Sequence, residues 1–315
     1  MKTLKKITII GGGVLGSQIA FQAAFNGFTV SVYAHSADSL EDTATKLNHL
    51  QKTYQKAIKL MASSKNCDPK DWCLGIADYG DPDVASYAKK AQQARQQIKL
   101  ELDLVAAVKG SDLVIEAIPE DLKLKKAFFT ELSKLLEPKT IIATNSSTLL
   151  PSKMAKSTGR PDRFLALHFA NSIWKNNTAE VMAQPATSKD TFDTVLRFAR
   201  DIKMLALPLH KEKAGYLLNS MLVPLLFAAL DLYVTGVSDI KSIDAAWKRG
   251  TATPHGPFEI LDVVGIETAH NIVKTYAKVP SFLAPYHFKD IEKMLAQMLA
   301  EGKSGKACGQ GFYKY

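Results

Sequence analysis

One stretch decides the fold of this chain: Ile7-Thr8-Ile9-Ile10-Gly11-Gly12-Gly13-Val14-Leu15-Gly16. A short strand runs directly into a G-x-G-x-x-G pattern. Gly11 allows a tight turn into a helix, Gly13 lets backbone approach a pyrophosphate, and Gly16 lets the helix pack closely on the strand. The anion would then sit on free N–H groups at the helix start. The stretch predicts a dinucleotide-binding site, with cofactor contacts at Gly11, Gly13, Val14, Leu15 and Gly16.

The segments after the glycines complete a βαβ unit. Residues 17–26 have a helical pattern, Gly27 is a typical helix stop, and residues 28–33 form a β-branched and aromatic strand. A glycine turn that binds nothing is the alternative. The order of strand, glycines, helix, glycine and strand favours the nucleotide site, because it is far more specific than the three glycines alone.

The end of the second strand lacks one expected element. An acidic residue there usually binds the ribose hydroxyls of NAD, but this strand ends in Ala34-His35-Ser36. Ser36 or His35 could instead contact a 2′-phosphate, although no Arg follows to bind it firmly. Asp38 and Glu41 do not replace the acid, because D-S-L-E is typical of a capping box that starts the next helix. We expect NAD, with Ser36 among its contacts, and NADP stays open.

The composition limits which classes of protein the chain can belong to. The chain has 315 residues, of which 46% are hydrophobic, enough for one large α/β domain and a smaller one. Its net charge of +9 comes from lysines spread over helical segments, which argues against nucleic acid and is compatible with anionic small molecules. No apolar run reaches the roughly 18 residues of a membrane span. Cys67, Cys73 and Cys308 lack the spacing of a zinc site or a disulfide framework. We expect a cytoplasmic protein that binds a small molecule and no metal, membrane or nucleic acid.

The remaining pattern predicts the domain organisation. Strand patterns recur near residues 111–118, 140–144, 164–169 and 179–182, and helical patterns at 122–136 and 190–201. Residues 40–108 form a helical insertion that looks least constrained. From residue 211 only helical patterns follow. The expected fold is therefore an N-terminal, doubly wound Rossmann-type domain over residues 1–210 and an all-α substrate and dimerisation domain over residues 211–315.

Polar residues at the carboxyl ends of the strands are candidates for chemistry, because ligands of open α/β sheets collect there. Three stand out: Ser147 just after one strand, His168 at the end of another and Glu180 at the start of the next. Beside a dinucleotide they suit carbonyl reduction, in which His168 supplies the proton, Glu180 fixes the ring and favours its protonated form, and Ser147 donates to the reacting oxygen. Taken singly, His168 also fits a core histidine, Ser147 a turn cap and Glu180 half of a surface ion pair. Their spacing does not distinguish these alternatives from the catalytic roles.

Several segments resemble those of the L-3-hydroxyacyl-CoA dehydrogenases. They are ATNSSTL at 143–149, HF-x-N at 168–171, AEVM around Glu180, KAGYLLN up to Asn219, P-x-GPFE at 254–259 and GQGFYKY at 309–315. The chain is still more similar to a bacterial diketoreductase branch of that family, in GVLGSQIAFQ, ATNSSTLLPS, FLALHFAN and NNTAEVM. The shared segments span nearly the whole chain outside the insertion.

The resemblance implies an NAD(P)-dependent oxidoreductase that interconverts 3-hydroxy and 3-keto groups of an acyl-CoA or a related 3-keto acid or ester. It places the catalytic residues at His168, Glu180, Ser147 and Asn219. It places contacts to the nicotinamide nucleotide at Glu120, Lys125, Asn145 and Asn171. For Lys125 a solvated helix face shared with Lys123 and Lys126 is the alternative.

The family pattern also implies a homodimer formed through the C-terminal helices, burying an apolar stripe over residues 217–234. The same stripe could equally belong to the intramolecular core. The chain departs from the pattern at Ala34, at Ser172, where the family has proline, and at His270, where a lysine is frequent. Two other functions stay open. One is a sugar-acid, gulonate-type 3-dehydrogenase of the same superfamily, and the other is a non-catalytic dinucleotide-binding protein.

Overall fold

The computed structural model of the protein describes residues 4–63, 68 and 71–315, so Cys67 lies outside the described residues. Its first compact unit ends at Leu217, and its second is Leu218–Tyr315. The strands of the described residues are β1 (Lys6–Ile10), β2 (Thr29–Tyr33), β3 (Lys99–Glu101), β4 (Leu113–Glu116), β5 (Ile141–Thr144), β6 (Phe164–Phe169), β7 (Thr178–Ala183) and β8 (Leu205–Leu209). These eight strands form one sheet in the order β3-β2-β1-β4-β5-β6-β7-β8.

Strands β1 to β6 are parallel, β7 runs antiparallel to β6, and β8 runs parallel to β7. The helices of the first unit are α1 (Val14–Phe25), α2 (Ala37–Ser63), α3 (Tyr87–Gln97), α4 (Leu104–Val108), α5 (Leu122–Ser133) and α6 (Lys189–Asp201). Alternate strand residues pack into two separate apolar clusters, one containing Ile9 and the other Ile10. The sheet is thus covered on both faces, as parallel sheets require. This arrangement confirms the predicted doubly wound fold class.

The described residues of the 40–108 segment, namely 40–63, 68 and 71–108, contribute many side chains to the core, and the expectation that the segment is the least constrained is wrong for them. They contain β3, which extends the sheet next to β2, in addition to helices. The Tyr54 side chain is fully buried against the rings of Phe21 and Phe25, with ring centroids 4.6 and 5.3 Å away, and its hydroxyl donates to Gln22. The insertion therefore helps to hold α1, the helix that follows the glycine turn.

The second unit is helical, with α7 (Leu218–Val234), α8 (Ile240–Thr251), α9 (Pro257–Val264), α10 (Ile266–Tyr276) and α11 (Phe288–Ala300). Its core includes Phe258, Leu261 and Ile291. Residues 211–217, expected to begin this domain, belong to the first unit. In the part of the chain that the structure describes, no helix combines the length and apolar character needed to cross a membrane.

Two buried aspartates anchor the C-terminal GQGFYKY segment. Asp262 accepts hydrogen bonds from the backbone N–H groups of Phe312 (2.7 Å) and Tyr313 (2.9 Å), and Asp244 accepts from the Tyr313 hydroxyl (2.9 Å). A Cβ on Gly311 would lie 1.9 Å from Asp262 Oδ1. These contacts give a structural reason for the family-like sequence of this segment, because the tail completes the helical unit. His270, at the position where the family has a lysine, pairs with Glu292 at 3.0 Å and joins α10 to α11.

Candidate active site

The glycine turn between β1 and α1 has the geometry of a phosphate cradle. Gly11 has a φ of +96°, and a Cβ there would lie 2.8 Å from the Ala117 carbonyl oxygen. A Cβ on Gly16 would lie 2.0 Å from the Gly11 carbonyl oxygen. Gly13 differs, because a Cβ there would meet nothing within 4 Å. Gly11 and Gly16 are thus required by packing, whereas Gly13 leaves open space of the kind that a bound phosphate needs.

The first N–H groups of α1 complete the cradle. Within the described residues, no acceptor pairs with the backbone N–H of Val14 or Leu15, and Val14 is exposed. Such groups attract anions. The hydroxyls of Ser17 (2.8 Å) and Thr43 (3.3 Å) both donate to the Gly12 carbonyl and hold the turn in place. These features fit the pyrophosphate of a dinucleotide.

Ser36 and Ala34 lie after β2. The Ser36 hydroxyl accepts a hydrogen bond from the backbone N–H of Ser39 at 3.2 Å, so Ser36 caps α2, which begins at Ala37. The expected capping box starting at Asp38 is wrong, because Asp38 already lies in the first turn of the helix. Ala34 is buried, and its N–H donates to the Glu101 carbonyl of β3 at 3.0 Å. Position 34, where the usual acid would stand, is therefore buried beside β3.

His168 and Glu180 form a buried pair across β6 and β7. They are direct partners in the antiparallel register, which places their side chains on the same face of the sheet. His168 Nδ1 lies 2.9 Å from Glu180 Oε2, with the two residues 8% and 3% exposed. The other carboxylate oxygen, Oε1, accepts from the backbone N–H of Leu217 at 2.8 Å. Because Glu180 is buried, the alternative of a surface ion pair is excluded, whereas a buried and hydrogen-bonded histidine fits both the core and the catalytic alternatives.

The second nitrogen of His168 is available for chemistry. Among the described residues no hydrogen-bond partner contacts Nε2, whereas Nδ1 is held by the carboxylate. A histidine fixed through one nitrogen presents the other in a defined direction, which is the arrangement of a general acid or base.

The two serines of the loop after β5 have different roles. The Ser146 hydroxyl accepts from the backbone N–H of Leu149 at 2.9 Å and donates to Glu120 Oε1 at 2.5 Å, so Ser146 makes the turn. Ser147 is half-buried, and within the described residues no partner contacts its hydroxyl. The turn-cap alternative for Ser147 is therefore wrong, because its neighbour holds that role.

A cluster of buried charges lies behind this loop. Lys125 is 1% exposed, and its ammonium contacts Glu116 Oε1 at 2.5 Å and Glu120 Oε2 at 3.5 Å. Glu116 Oε2 accepts from the Thr144 hydroxyl at 2.7 Å. The alternative of a solvated helix face for Lys125 is wrong, since the side chain points inward from α5.

Glu120 ties the cluster to the loop. Its Oε1 accepts from the Ser146 hydroxyl and from the backbone N–H and hydroxyl of Thr148, at 2.5, 2.8 and 2.9 Å. Burial alone would raise the pKa of Glu120, but these hydrogen bonds and the charge of Lys125 outweigh it, so the pKa lies below the usual glutamate value. Glu120 therefore holds the loop as a carboxylate.

Asn145 and Asn171 flank the end of β6. Asn145 Oδ1 accepts from the backbone N–H of Phe169 at 3.1 Å and so fixes the ends of β5 and β6 to each other. Asn171 is exposed, and its carbonyl accepts from the Asn176 amide at 2.9 Å. Asn219 belongs to the second unit, where it is half-buried in the first turn of α7. Within the described residues, no group of three His, Cys, Asp or Glu side chains is arranged to hold a metal ion.

Comparison with known proteins decides the family. The model of the 3-hydroxyacyl-CoA dehydrogenase NAD-binding domain matches residues 6–212, and that of the C-terminal domain of the same family matches residues 215–315. The chain belongs to the 3-hydroxyacyl-CoA dehydrogenase family. The family, the oxidoreductase class and a nicotinamide cofactor, all predicted from the sequence, are thereby confirmed.

Individual relatives cover the whole chain. A solved structure of a diketoreductase that acts on dicarbonyl compounds superposes with a TM-score of 0.86 at 44% identity, over 100% of both chains. The human mitochondrial hydroxyacyl-coenzyme A dehydrogenase is 34% identical over 99% of this chain and 91% of its own length. A 3-hydroxybutyryl-CoA dehydrogenase of Clostridioides difficile is 29% identical over 98% of this chain and 99% of its own.

The loop after His168 explains one departure from the family pattern. Ser172 has a φ of +58°, and its N–H donates to Gln18 Oε1 of α1 at 2.8 Å. A proline has a φ near −65° and no N–H, so it could adopt neither feature. This loop therefore requires a residue other than proline at position 172.

Three residues of the site were not predicted from the sequence: Glu116, Ser146 and Tyr216. The Tyr216 ring stacks on the His168 imidazole with centroids 4.6 Å apart and an interplanar angle of 23°. Its hydroxyl donates to the Ser146 carbonyl at 2.6 Å. The signals were a glutamate inside an otherwise apolar strand, a second serine in ATNSSTL and the tyrosine of KAGYLLN.

Proposed function

We propose that this protein interconverts the 3-keto and 3-hydroxy groups of an acyl compound, with NADH and NAD as the cofactor pair. The observation that carries the proposal is the His168–Glu180 pair, in which Nδ1 is held at 2.9 Å and Nε2 has no partner among the described residues. A fixed imidazole at the carboxyl end of a parallel strand is suited to proton exchange with a bound carbonyl oxygen.

Each catalytic residue has a proposed role. When bound, the nicotinamide supplies or accepts the hydride. His168 Nε2 gives a proton to the carbonyl oxygen in reduction and takes it back in oxidation. Glu180 orients the His168 ring and stabilises the positive charge of its protonated form. The Ser147 hydroxyl, which makes no hydrogen bond with a described residue, donates a hydrogen bond to the same oxygen. Asn219 is proposed as a further catalytic residue, at the position to which the family resemblance assigns that role.

The residues proposed to hold the nucleotide lie along the carboxyl ends of the strands. They are Gly11, Gly13, Val14, Leu15, Gly16, Ser36, Glu120, Lys125, Asn145 and Asn171. NADH is proposed over NADPH for two reasons. No Lys or Arg follows β2 before residue 46, and Asp38 is exposed in the first turn of α2, where it would repel a 2′-phosphate.

The substrate is proposed to be a 3-keto compound that need not carry coenzyme A. The 44% identity to the diketoreductase exceeds the 34% identity to the mitochondrial hydroxyacyl-coenzyme A dehydrogenase. The net charge of +9 supports an anionic substrate such as a keto acid or a coenzyme A ester.

Replacing His168 by Gln tests the proposal. NADH oxidation would be followed with acetoacetyl-CoA, a free diketo ester and an oxidised sugar acid, in the wild type, in His168→Gln and in His49→Gln. His49 lies exposed on α2 and serves as the matched control. We expect turnover of one of the first two substrates to fall about 100-fold or more in His168→Gln alone, with the Kd for NADH within about twofold of the wild-type value.

Unchanged turnover in His168→Gln would remove this residue from the mechanism. Activity on the sugar acid alone would assign the protein to the sugar-acid dehydrogenases. NADH binding without activity on any of the three substrates would favour a non-catalytic nucleotide-binding protein. Fluorescence titration with NADH and NADPH decides the cofactor separately.

We also propose a cytoplasmic homodimer. Cys67, Cys73 and Cys308 lack the spacing of a disulfide framework, which suits a reducing compartment. Along α7, Leu218, Met221 and Leu232 are exposed at helical spacing, and Met221 is 67% exposed. A second copy of the chain would cover this stripe. Met221→Glu should shift the mass measured by light scattering from dimer to monomer, and a wild type that is monomeric would refute the dimer.

A further inference from the structure

Tyr216 contacts the elements that carry the proposed catalytic groups. Its ring stacks on the His168 imidazole, with centroids 4.6 Å apart. Its hydroxyl donates to the carbonyl of Ser146, the residue before Ser147, at 2.6 Å. The N–H of the following residue, Leu217, donates to Glu180 Oε1 at 2.8 Å. One residue and its neighbour therefore bind the β5 loop, β6 and β7.

The backbone at Tyr216 is strained in a way that serves these contacts. Tyr216 has a φ of +54°, and Gly215 before it has a φ of +80°. A bulky residue in the left-handed region is an outlier that persists only where the surrounding structure requires it. Here the conformation brings the ring onto His168 and the next N–H onto Glu180. The Tyr216 side chain is 1% exposed.

The phenol acts as a donor in this arrangement. Burial, followed by the negative charges of Glu120 and Glu180, raises the pKa of Tyr216 well above the usual tyrosine value. The hydroxyl therefore stays protonated, and its proton lies in the hydrogen bond to Ser146. Tyr216 is suited to hold neighbouring groups in place, and proton transfer falls to His168.

We propose that Tyr216 is a positioning residue that fixes the distance and orientation between the His168 imidazole and the Ser147 hydroxyl. Its ring restricts the imidazole from one side, and its hydroxyl restricts the backbone from which Ser147 projects. A bound 3-keto oxygen that must receive a proton from His168 and a hydrogen bond from Ser147 needs both groups at a fixed separation. The kinetic part of this inference rests on the proposed function, whereas the structural part does not.

The kinetic test is a double-mutant cycle. Tyr216→Phe keeps the ring and removes the hydroxyl, and Tyr276→Phe, which alters a partly exposed tyrosine of α10, is the matched control. We expect Tyr216→Phe to lower kcat/KM for the 3-keto substrate about 10-fold, with the Kd for NADH unchanged. If the hydroxyl acts through Ser147, adding Tyr216→Phe to Ser147→Ala should lower kcat/KM by less than about twofold more. Full additivity of the two effects, or an unchanged kcat/KM in Tyr216→Phe, would overturn the proposal.

The structural test needs no substrate. The histidines would be labelled with ¹³C at Cε1, and the His168 signal assigned by its absence in His168→Gln. A ring stacked on the imidazole shifts this proton resonance upfield, so Tyr216→Leu should move it downfield, while Tyr216→Phe and Tyr276→Phe should leave it close to its wild-type position. A resonance that does not move in Tyr216→Leu refutes the stacking. Absence of activity on every substrate would instead contradict the proposed function and leave this spectral result standing as the test of positioning.

Discussion

The glycine turn between β1 and α1 offers a ligand backbone N–H groups and open space. By contrast, the carboxyl ends of β4, β5 and β6 and the amino end of β7 carry buried side chains that bind one another. In the turn, a Cβ on Gly13 would meet nothing within 4 Å. Along the same edge of the sheet, we define the polar edge as Glu116, Lys125, Glu120, Ser146, His168 and Glu180. Each member of the polar edge forms a hydrogen bond with another member.

The two parts of the site depend on different features of the chain, the glycine turn on local sequence and the polar edge on strand pairing. The phosphate cradle, Gly11–Gly16, is local, because ten consecutive residues contain the strand end, the turn and the helix start. The polar edge depends on strand register, since His168 faces Glu180 only because β7 runs antiparallel to β6. Buried charges in the polar edge should also make its substitutions more costly than those in the cradle.

Lys125→Met should have the largest effect. It leaves the Glu116 carboxylate buried without its cation, which we expect to lower the free energy of unfolding by about 3–5 kcal/mol. Chemical unfolding measures the loss. Lys126→Met, at an exposed position of the same helix, should change stability by less than about 0.5 kcal/mol. Equal effects of the two variants would show that the Lys125–Glu116 contact at 2.5 Å contributes nothing specific.

Glu180→Gln should have the next largest effect, on turnover. The amide keeps the size of the side chain but removes the charge that stabilises the protonated imidazole. We expect kcat to fall about 100-fold, equivalent to about 2.7 kcal/mol, while the Kd for NADH stays within about twofold. Glu212→Gln, at an acidic side chain that accepts from the Ser152 N–H, is the control. A kcat that survives Glu180→Gln would mean that the polar edge orients His168 by packing alone.

The sequence predicted the local parts of the fold and missed those set by tertiary contacts. β3 is a polar strand of three residues, and β8 contains Pro208, which a strand at the edge of a sheet tolerates. β3 lacks the apolar pattern by which the other strands were found, and the proline within the apolar β8 argues against a strand. The importance of Tyr54 was missed for a similar reason, because a helical pattern indicates a buried face without indicating what that face contacts.

The candidate site shows the same division. Resemblance located His168 and Glu180, and the structure brings them together. The sequence offered no way to tell Ser146 from Ser147, because adjacent serines differ only in which hydroxyl the turn uses. Tyr216 was missed because its contact with His168 depends on a left-handed backbone 48 residues further along the chain, at a φ of +54°.

Gly13→Ala tests the cradle and should have a smaller effect than either change in the polar edge. Because a Cβ there meets nothing within 4 Å of the protein, the melting temperature should stay unchanged. The added methyl would occupy space assigned to the pyrophosphate, so we expect the Kd for NADH to rise about 10-fold, or about 1.4 kcal/mol. Gly16→Ala is the contrast, because its Cβ would lie 2.0 Å from the Gly11 carbonyl and should lower the melting temperature itself. An unchanged Kd in Gly13→Ala would place the nucleotide elsewhere.

Ser36→Ala should have the smallest effect and separates two roles of one hydroxyl. Its bond to the Ser39 N–H at 3.2 Å caps α2, and loss of such a cap costs about 1 kcal/mol of stability. Ser39→Ala is the control, because it leaves the backbone N–H that Ser36 binds. If Ser36 also contacts the adenosine ribose, the Kd for NADH should rise severalfold in Ser36→Ala and not in Ser39→Ala. A loss of stability with an unchanged Kd would assign Ser36 to the helix cap alone.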